Sequence, residues 1–406
     1  MGTPPDRRIL LVDADAFYVA VARLADPDGA GRARLLLVGG SSERRGVVMS
    51  ASYEARGFGV RSAMPMARAL RLCPAAVVAQ VPWDLCGQKS AQIGDVLTRF
   101  TPAVERASSD EFYVDLTGTE RLYGGEPLVV TATRIREAVL AETQLSVSIG
   151  GGTSKVVAKL AAGVAKPAPG TVGKGVWVVE PGTEGDFMRR FALADLPLVG
   201  PKAQQRLAER GLRSVADVLA HDRRTLIAWL GEREGVWLYD RVRGVDGSSV
   251  DSRELPKSLS RDETFPHDIA DDAGLATELL RLSDRASSDL REAGLVARTV
   301  TVKLRDADFT TRQASRTLPA PVQSDRAVYA VARELLAKLR DARRVPARLV
   351  GVSLSQLLPA DARVQLSLLD VADAEGIETE RDRTIAQVVD RVRERFGPEA
   401  LKRGRL

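Results

Sequence analysis

Short apolar runs and helix-spaced apolar residues alternate along the first part of the chain, up to about position 150. A short apolar run bounded by turn residues is typical of a strand, whereas apolar residues three and four positions apart are typical of a helix. The pattern predicts strands at 9–12, 34–39, 46–52, 103–106, 111–116 and 146–150, and helices at 17–24, 62–72, 91–100 and 129–142. Their βαββαβ-like order predicts a split, ferredoxin-like sheet.

The pattern changes twice in the rest of the chain. A glycine- and proline-rich stretch at 166–173 leads into a mostly helical region that ends near Gly244. Polar residues without periodicity at 247–256 then predict an exposed linker. Beyond the linker, helices alternate with strands, which predicts an α/β sandwich. The predicted helices lie at 271–293 and 325–340, and the strands at 297–305 and 347–354.

Composition limits the kind of protein that this chain can be. Its 406 residues are 44% hydrophobic and carry a net charge of +5, with a pI near 9.3, which suggests a polyanionic partner without requiring one. No apolar segment approaches the roughly 20 residues of a membrane-spanning helix, and the N-terminus lacks a secretory signal, so we expect a cytoplasmic protein without a membrane partner. Cys73 and Cys86 lack metal-ligand spacing and are expected to be reduced, buried thiols.

Acidic residues end the first predicted strand and occupy the predicted hairpin. Asp13 lies in VDADAFY, and Asp110 and Glu111 lie in ASSDEFYVDL. The predicted sheet order brings these three carboxylates to one edge, where they repel each other unless cations bind them. Oxygen ligands of this kind suit Mg²⁺, and two ions about 3.5–4 Å apart can activate an attacking oxygen and stabilise a leaving one. Taken alone, a strand-end aspartate is more often a cap or a turn residue.

A tyrosine and an arginine follow each other closely in the segment SYEAR. Tyr53 and Arg56 are three positions apart, which on a helical turn places a phenol and a guanidinium on one face, where they can grip phosphate oxygens together. An isolated pair of this kind is ordinarily part of a solvated helix face. The acidic motifs favour the phosphate interpretation over that alternative.

Five motifs in a fixed order carry a resemblance to a known family. They are VDADAFYVAV, SYEARGFGVRSAMP, ASSDEFYVDLTG, GGGTSKVVAKLAAGVAKPAPGT and LVGPKAQQRLAERGLRS. In this order they resemble the Y-family DNA polymerases, most of all the bacterial DNA polymerase IV (DinB-like) branch, over about residues 8 to 358. The resemblance implies an α/β (α+β multidomain) fold in a right-hand arrangement. It also implies an error-tolerant enzyme that adds deoxynucleoside triphosphates to primer-template DNA during lesion bypass.

The resemblance divides the chain into domains. The implied boundaries are the palm at 1–24 and 79–173, the fingers at 25–78, the thumb at 174–244, a linker at 245–256, the little finger at 257–357 and a tail at 358–406. We expect a monomer with this organisation. Two alternatives are another nucleotidyl transfer on a similar palm, such as a cyclase, and a catalytically inactive adaptor. The thumb and little-finger motifs argue against the first, and intact carboxylates argue against the second.

The resemblance also assigns roles at the active site. Asp13, Asp110 and Glu111, with the Ala14 carbonyl, are the expected ligands of two Mg²⁺ ions. Tyr18, five positions after Asp13, is the expected steric gate, whose ring would clash with a ribose 2′-hydroxyl. The residues expected on the nucleotide's phosphates are Ser50, Tyr53, Arg56 and Lys166.

Other residues near these motifs receive weaker assignments. Asp15 and Asp115 are expected to be structural, and Lys155 and Lys159 are left without a role. The residues expected to cover the nascent base pair are Val48, Met49 and Ala63. They are small or flexible, and so loose a lid implies low fidelity.

The motif LVGPKA carries the first candidate DNA contact. It resembles the start of a helix-hairpin-helix, in which Gly200 and Lys202 would hold a DNA phosphate without reading sequence. A helix–turn–helix that serves only packing is the alternative.

The run RTVTVKLRDADFTTRQASRTL carries the second candidate DNA contact. Its alternation predicts an apolar face and a cationic face, the latter with Lys303 and Arg305. Arg312 and Arg316 are expected to extend the cationic face. The run resembles the DNA-gripping little finger, and a solvated sheet surface is the alternative.

The tail holds one more motif and one helix. The segment QLSLL, with Gln365, Leu368 and Leu369, resembles the short peptide by which bacterial polymerases dock on a sliding clamp. A short amphipathic strand packed on the body is the alternative. A helix predicted at 384–396, with Val388, Val392 and Phe396, is expected to pack on the body.

Overall fold

The structure is a computed structural model that describes residues 7–168, 171, 173–251, 255–362, 377–397 and 400–401. The chain divides into two compact units, Met1–Arg253 and Glu254–Leu406. Each unit combines helices with sheets, which confirms the predicted α/β multidomain class. No helix in these described ranges is both long and apolar enough to cross a membrane.

Two sheets form in the described part of the first unit. Their strands are β1 (Ile9–Ala14), β2 (Leu36–Gly39), β3 (Val48–Ala51), β4 (Val77–Ala79), β5 (Val104–Arg106), β6 (Glu111–Asp115), β7 (Val147–Gly152) and β8 (Val176–Val178). The larger sheet has the order β5-β6-β1-β7-β8, and the smaller one has the order β3-β2-β4. β1 is antiparallel to both β6 and β7. The order of β5, β6, β1 and β7 is the ferredoxin-like order predicted from the sequence.

Helices cover both sheets and make up the rest of the first unit. They are α1 (Phe17–Ala25), α2 (Tyr53–Gly57), α3 (Met66–Leu72), α4 (Trp83–Thr98), α5 (Leu128–Thr143), α6 (Lys155–Ala165), α7 (Glu184–Met188), α8 (Pro201–Ala208), α9 (Val215–Leu219), α10 (Arg223–Leu230) and α11 (Glu232–Arg241). The last five pack with α6 around one core, in which Val157 of α6 joins Leu207 and Leu238. This shared core fixes one side of α6, and Ala158 and Ala162 on its other side pack against Ile9 and Leu11 of β1.

The close approach of α6 to the larger sheet depends on Gly150. A Cβ atom at Gly150 would lie 2.0 Å from the Ala162 nitrogen and 2.1 Å from the Ala158 oxygen, which are backbone atoms of α6. Ser154 caps the helix, because its side chain accepts a hydrogen bond from the Val157 N–H. Glycine on β7 and serine at the cap therefore set where the lysines of α6 lie over the sheet.

In the first unit, two helix starts differ from the prediction by four residues or more. α4 begins at Trp83 rather than at 91, because its buried face includes Cys86 and Ser90, which do not read as an apolar stripe. α3 begins at Met66 rather than at 62, because Pro65 occupies the N-cap in an extended conformation. Both differences lie at the ends of helices whose existence was predicted.

The described part of the second unit contains one antiparallel sheet with helices on one face. Its elements are β9 (Ser258–Ile269), α12 (Asp272–Glu292), β10 (Leu295–Asp306), β11 (Thr311–Val322), α13 (Asp325–Ala342), β12 (Ala347–Pro359) and α14 (Glu380–Phe396). The sheet order is β11-β10-β12-β9. Apolar side chains of α12 and α13 pack with Val300, Val302 and Leu304 of β10 to form the core. The opposite face of the sheet is left polar.

The C-terminal helix α14 packs on this unit through charged side chains. Arg291 of α12 pairs with Asp390 at 2.6 Å, and Arg393 pairs with Asp284 at 2.8 Å. Val388 and Phe396 are 42% and 67% exposed. The helix packs on the body as expected, with Val392 half-buried, but Val388 and Phe396 take little part in the packing because the packed face of the helix carries the ion pairs.

Candidate active site

The two acidic segments lie side by side at one end of the larger sheet, where β1 ends and β6 begins. We call this end of the sheet the acidic edge. The register of β1 and β6 places Asp13 directly opposite Glu111. The Ala14 N–H donates to the Asp110 carbonyl oxygen at 2.9 Å, which holds the hairpin turn against the end of β1. Buried apolar side chains along β1 fix its position, so Asp13 lies at the end of a rigid strand. The sheet order thus brings the three predicted acids together.

Lysines of α6 and its C-terminal end contact these carboxylates. Lys166 Nζ lies 2.6 Å from Asp13 Oδ2, and Lys159 donates to both Glu111 oxygens at 2.8 and 2.6 Å. Lys155 pairs in the same way with Glu105 at 2.5 Å. Lys155 and Lys159 are four apart on one helix and therefore share a face, and this spacing is the signal in the sequence that could have indicated that both contact the sheet.

Asp13 lies in the least solvated part of this edge. It is 6% exposed, and burial raises the pKa of Asp13 to about 6 against the lowering effect of Lys166. The charges of Glu111 and Asp110 add to the rise. Carboxylates that perturb one another in this way favour bound cations, which the two lysines supply in this structure.

The donor atoms at this edge suit magnesium. Carboxylate oxygens of Asp13, Asp110 and Glu111 are hard ligands of the type that Mg²⁺ prefers. In the ranges that the structure describes, no three aspartate, glutamate, histidine or cysteine side chains are grouped closely enough to hold a metal ion as they stand. Asp13 and Glu111 face Lys166 and Lys159 instead. The donor atoms therefore fit a divalent ion, and in this structure Asp13 and Glu111 form ion pairs with the two lysines.

Hydroxyl groups order the acidic turn and its surroundings. Ser108 Oγ donates to Asp110 Oδ1 at 2.7 Å and accepts from the Glu111 N–H at 3.1 Å. Asp15 accepts one hydrogen bond each from the Ser146 and Ser148 hydroxyls, both at 2.8 Å. These bonds give Asp15 the structural role that was expected of it.

Tyr18 lies against the same turn. Its hydroxyl is 3.0 Å from Ser109 Oγ, so the N-terminal end of α1 is hydrogen-bonded to the residue before Asp110. The Tyr18 ring meets Phe17 and Trp83 edge to face, with centroids 5.3 and 6.0 Å away. The predicted gate residue is thus at the acidic edge.

The predicted phosphate-binding pair also approaches this edge. The Arg56 guanidinium lies over the Tyr53 ring, 4.9 Å from its centroid, and Arg56 Nε donates to the Ala51 carbonyl at 2.9 Å. Burial, chiefly, and the charge of Asp15 raise the pKa of the Tyr53 phenol. Ser50 is buried nearby on β3. The structure therefore brings Tyr53 and Arg56 onto one face, as predicted, with Tyr53 beside the acids of the larger sheet.

One of the three residues predicted to cover the nascent base pair lies in the core instead. Val48 is buried in the small core around β2 and β3, packed with Leu37 and Met66. Met49, the next residue along the strand, points to the opposite side and is half-buried, and Ala63 is exposed. Val48 is a core residue because alternate positions of a strand face opposite sides.

The predicted helix-hairpin-helix segment forms a turn followed by a helix. Gly200 is the N-cap of α8, and Pro201 is its first residue. Leu198, just before the turn, has a φ of +70° and is exposed. Lys202 is exposed in the first turn of α8. The backbone N–H groups at this helix start are of the kind that bind phosphate.

The exposed face of the second unit's sheet is lined mainly with hydroxyl and charged side chains. Lys303 pairs with Asp262 at 2.5 Å, and Arg305 Nε donates to Thr311 Oγ1 at 2.9 Å. Hydroxyls are paired across β10 and β11, Thr299 with Thr317 and Thr301 with Ser315, each at 2.9 Å. The predicted cationic face exists, and Lys303 and Arg305 lie on it.

Arg312 and Arg316 do not extend that face, so this prediction was wrong. The register of β10 and β11 places Arg312 opposite Leu304 and Arg316 opposite Val300, two positions of the buried core. Both arginines therefore lie on the helix side of the sheet. Arg312 donates to Asp306 Oδ1 at 3.0 Å, and Arg316 donates to Glu334 of α13 at 2.7 Å.

The predicted clamp motif cannot be placed. Gln365, Leu368 and Leu369 lie outside the described residues. The described chain ends at 362 after β12 and resumes at 377, before α14.

Three parts of the chain match known families. Residues 12–163 match the impB/mucB/samB family, residues 194–246 match the thumb domain of DNA polymerase-iota, and residues 256–368 match the impB/mucB/samB family C-terminal domain. These ranges contain the acidic edge, the Gly200 turn and the polar sheet face respectively.

Relatives match over most of the chain. A DNA polymerase IV from Caulobacter vibrioides is 35% identical over 394 residues, which cover 97% of this chain and 93% of that protein. A DNA polymerase IV from Halorhodospira halophila is 38% identical over 353 residues, which cover 87% and 96%. Among solved structures, the Y-family DNA polymerase chimera Dbh-Dpo4(243-245)-Dbh matches with a TM-score of 0.76 at 24% identity, over 86% of this chain and 99% of that chain. The last likeness concerns the fold alone.

Proposed function

The chain belongs to the impB/mucB/samB family of Y-family DNA polymerases, and we propose that it is a template-directed polymerase of the DNA polymerase IV branch. It extends a primer 3′ end with deoxynucleotides, including across damaged templates, with low fidelity. The observation that carries this proposal is the placement of Asp13 opposite Glu111, with the Asp110 turn bonded to the same strand end. Carboxylates gathered at one end of a sheet are the donors with which a two-metal nucleotidyl transfer would hold its ions.

Asp13, Asp110 and Glu111, with the Ala14 carbonyl, would hold two Mg²⁺ ions. When bound, these ions supply the positive charge that lowers the pKa of the primer hydroxyl and neutralises the triphosphate. The lysines orient the carboxylates before that, because each places an ammonium group within 2.6 Å of an acidic oxygen. Lys166 can then turn from Asp13 to a phosphate oxygen, since both would lie within reach of its flexible side chain.

The nucleotide contacts follow from residues around this edge. Arg56 supplies a fork of donors for phosphate oxygens, and its Nε bond to Ala51 leaves the terminal nitrogens to serve them. Tyr53, at the start of α2, and Ser50, on β3, would supply hydroxyls. Tyr18 would lie against the sugar, where its ring excludes a 2′-hydroxyl. Met49 and Ala63 form the loose cover of the base pair, without the buried Val48.

DNA binding is assigned to two surfaces. The backbone at Gly200 with Lys202 holds one phosphate, and the polar sheet face with Lys303 and Arg305 follows the phosphate backbone elsewhere. The paired hydroxyls of β10 and β11 add uncharged donors to that face. Such contacts read no sequence and weaken as salt rises.

The remaining parts of the proposal rest on the sequence. We assign sliding-clamp docking to Gln365, Leu368 and Leu369, and propose a monomer that works in the cytoplasm. We also keep the predicted domain boundaries: palm 1–24 and 79–173, fingers 25–78, thumb 174–244, linker 245–256 and little finger 257–357. One boundary changes, because β8 pairs with β7 in the larger sheet and therefore extends the palm to Val178.

Primer extension tests the proposed function directly. The purified full chain is given a primed template, Mg²⁺ and four deoxynucleoside triphosphates, and stepwise extension is expected, including past an abasic site. A cyclase would instead convert a nucleoside triphosphate without primer or template. An inactive adaptor would bind the primed template and extend nothing, and either result would overturn the proposal.

A further inference from the structure

The Tyr18 side chain is hydrogen-bonded to the turn that carries the acidic residues. Its hydroxyl lies 3.0 Å from Ser109 Oγ, and Ser109 directly precedes Asp110. The bond joins two elements that are far apart in sequence, the start of α1 and the β5–β6 hairpin. It is therefore a tertiary contact that only this fold creates.

The two serines of the turn serve different partners. The Ser108 hydroxyl stays within the turn, where it donates to the Asp110 carboxylate and accepts from the Glu111 N–H. The Ser109 hydroxyl leaves the turn and meets Tyr18. The Ser108 hydroxyl thus orders the Asp110 carboxylate, and the Ser109 hydroxyl fixes the Tyr18 ring.

Other contacts of the Tyr18 ring fix it less firmly at its polar end. Phe17, which is buried, meets the ring edge to face at 5.3 Å. Trp83 meets it at 6.0 Å, but the Trp83 side chain is itself largely exposed and can move. The hydrogen bond to Ser109 is the contact that holds the hydroxyl end of the ring in one place.

We propose that Ser109 is a positioning residue for sugar selection, because it holds the Tyr18 ring where a 2′-hydroxyl would have to lie. The inference rests on the proposed polymerase function and on Tyr18 as its gate. A ring excludes a ribonucleotide only as far as it resists displacement, so a bond that restrains the ring adds to the discrimination. A hydrogen bond of this kind is worth a selectivity factor of roughly three to ten.

Steady-state incorporation of one nucleotide tests the proposal. The full chain and its variants are compared for dCTP and CTP opposite a template guanine, and the ratio of the two kcat/KM values is measured. Ser109→Ala and Tyr18→Phe are each expected to lower the deoxy-to-ribo ratio by roughly three- to tenfold, because each removes the same bond. The double variant is expected to match either single variant, since the bond can be removed only once.

Two matched variants separate positioning from general damage. Ser109→Thr keeps a hydroxyl at this position and is expected to retain the parent ratio. Ser108→Ala removes the adjacent hydroxyl, which serves Asp110, and is expected to slow both nucleotides in the same proportion. Equal thermal midpoints would show that the variants remain folded.

The possible outcomes distinguish this inference from the function beneath it. A parent chain that extends no primer would overturn both. A chain in which Tyr18→Ala changes the ratio but Ser109→Ala does not would overturn the inference and leave the polymerase and its gate standing. Independent, multiplying effects of Ser109→Ala and Tyr18→Phe would also overturn it, since they would mean that the two hydroxyls act separately.

Discussion

Lys159 donates to both carboxylate oxygens of Glu111, at 2.8 and 2.6 Å. One turn earlier on α6, Lys155 meets Glu105 at 2.5 Å. Both ion pairs join a lysine of α6 to a glutamate of the larger sheet, but only Glu111 lies opposite Asp13, whereas Glu105 lies opposite Tyr113. The chain therefore provides a matched pair of glutamates, one at the acidic edge and one away from it.

We expect Asp110→Asn and Glu111→Gln each to abolish primer extension, because an amide is a poor ligand for Mg²⁺ where a carboxylate charge is needed. Primer-template affinity should stay nearly unchanged, since these groups hold ions rather than DNA. Glu105→Gln is the control and should retain extension. The measurements are single-turnover extension and DNA binding by anisotropy, and wild-type extension in either edge variant would refute the metal assignment.

Tyr18→Ala is expected to admit ribonucleotides, because removal of the ring removes the clash with the 2′-hydroxyl. Steric gating of this size is worth several kcal/mol, so the selectivity ratio should fall by roughly a hundredfold or more. Competition between a deoxynucleotide and the matching ribonucleotide gives the ratio. An unchanged value would mean that another residue is the gate.

Lys303→Ala with Arg305→Ala is expected to weaken DNA binding at every sequence and to lower its salt dependence, because both cations lie on the polar sheet face. Each phosphate-binding cation removed should make the slope of log K against log salt shallower by roughly 0.9, so the double variant should change it by roughly 1.8. Arg316→Ala is the matched control, since Arg316 lies on the helix side and pairs with Glu334. A slope that changes with Arg316→Ala and not with the double variant would reverse the assignment of the two faces.

Arg312→Ala is expected to destabilise the second unit by about 1–3 kcal/mol, because it leaves the buried Asp306 with one arginine partner fewer. Arg316→Ala should cost at most about 0.5 kcal/mol, since its partner Glu334 is exposed. Hydrogen exchange of the β10 amides in the full chain measures both effects. Equal protection in the two variants would contradict the expectation.

Gln365→Ala with Leu368→Ala and Leu369→Ala is expected to leave extension on a bare template unchanged and to remove stimulation by a loaded sliding clamp. The glutamine and two leucines are the anchors of the predicted docking peptide, and a few anchors carry most of such an affinity. The assay compares bare and clamp-loaded templates. Parent-like stimulation of the triple variant would place the docking site elsewhere on the chain.

Four of the five strands of the larger sheet could be predicted, because short apolar runs mark them and acidic residues mark the ends of two of them; β8 was not predicted, since its three residues lie in a segment that was expected to be mostly helical. Once the order β5-β6-β1-β7 is inferred, Asp13 and Glu111 must be neighbours. The hydrogen bond between Tyr18 and Ser109 could not be predicted in this way. It depends on the tilt of α1 against the hairpin, which is set by packing between distant parts of the chain.

The error at Arg312 and Arg316 has a definite physical origin. Alternation along one strand tells which residues share a face, but it does not tell how that face continues after a turn. The connection between Asp306 and Thr311 sets the register of β10 and β11. In this register Lys303 lies opposite Gln313 rather than opposite an arginine. A change of one residue in that connection would have moved both arginines to the polar face.

Gly150 has no Cβ atom, and the space that a Cβ would need decides which substitutions position 150 tolerates. No side chain can be accommodated there, because even a methyl group would overlap the backbone of α6. In a saturation-mutagenesis screen scored by survival of DNA damage, position 150 should be as intolerant as Asp13, although it contacts no substrate. A substitution found there would abolish activity as a catalytic substitution does, but the cause would be the displacement of α6.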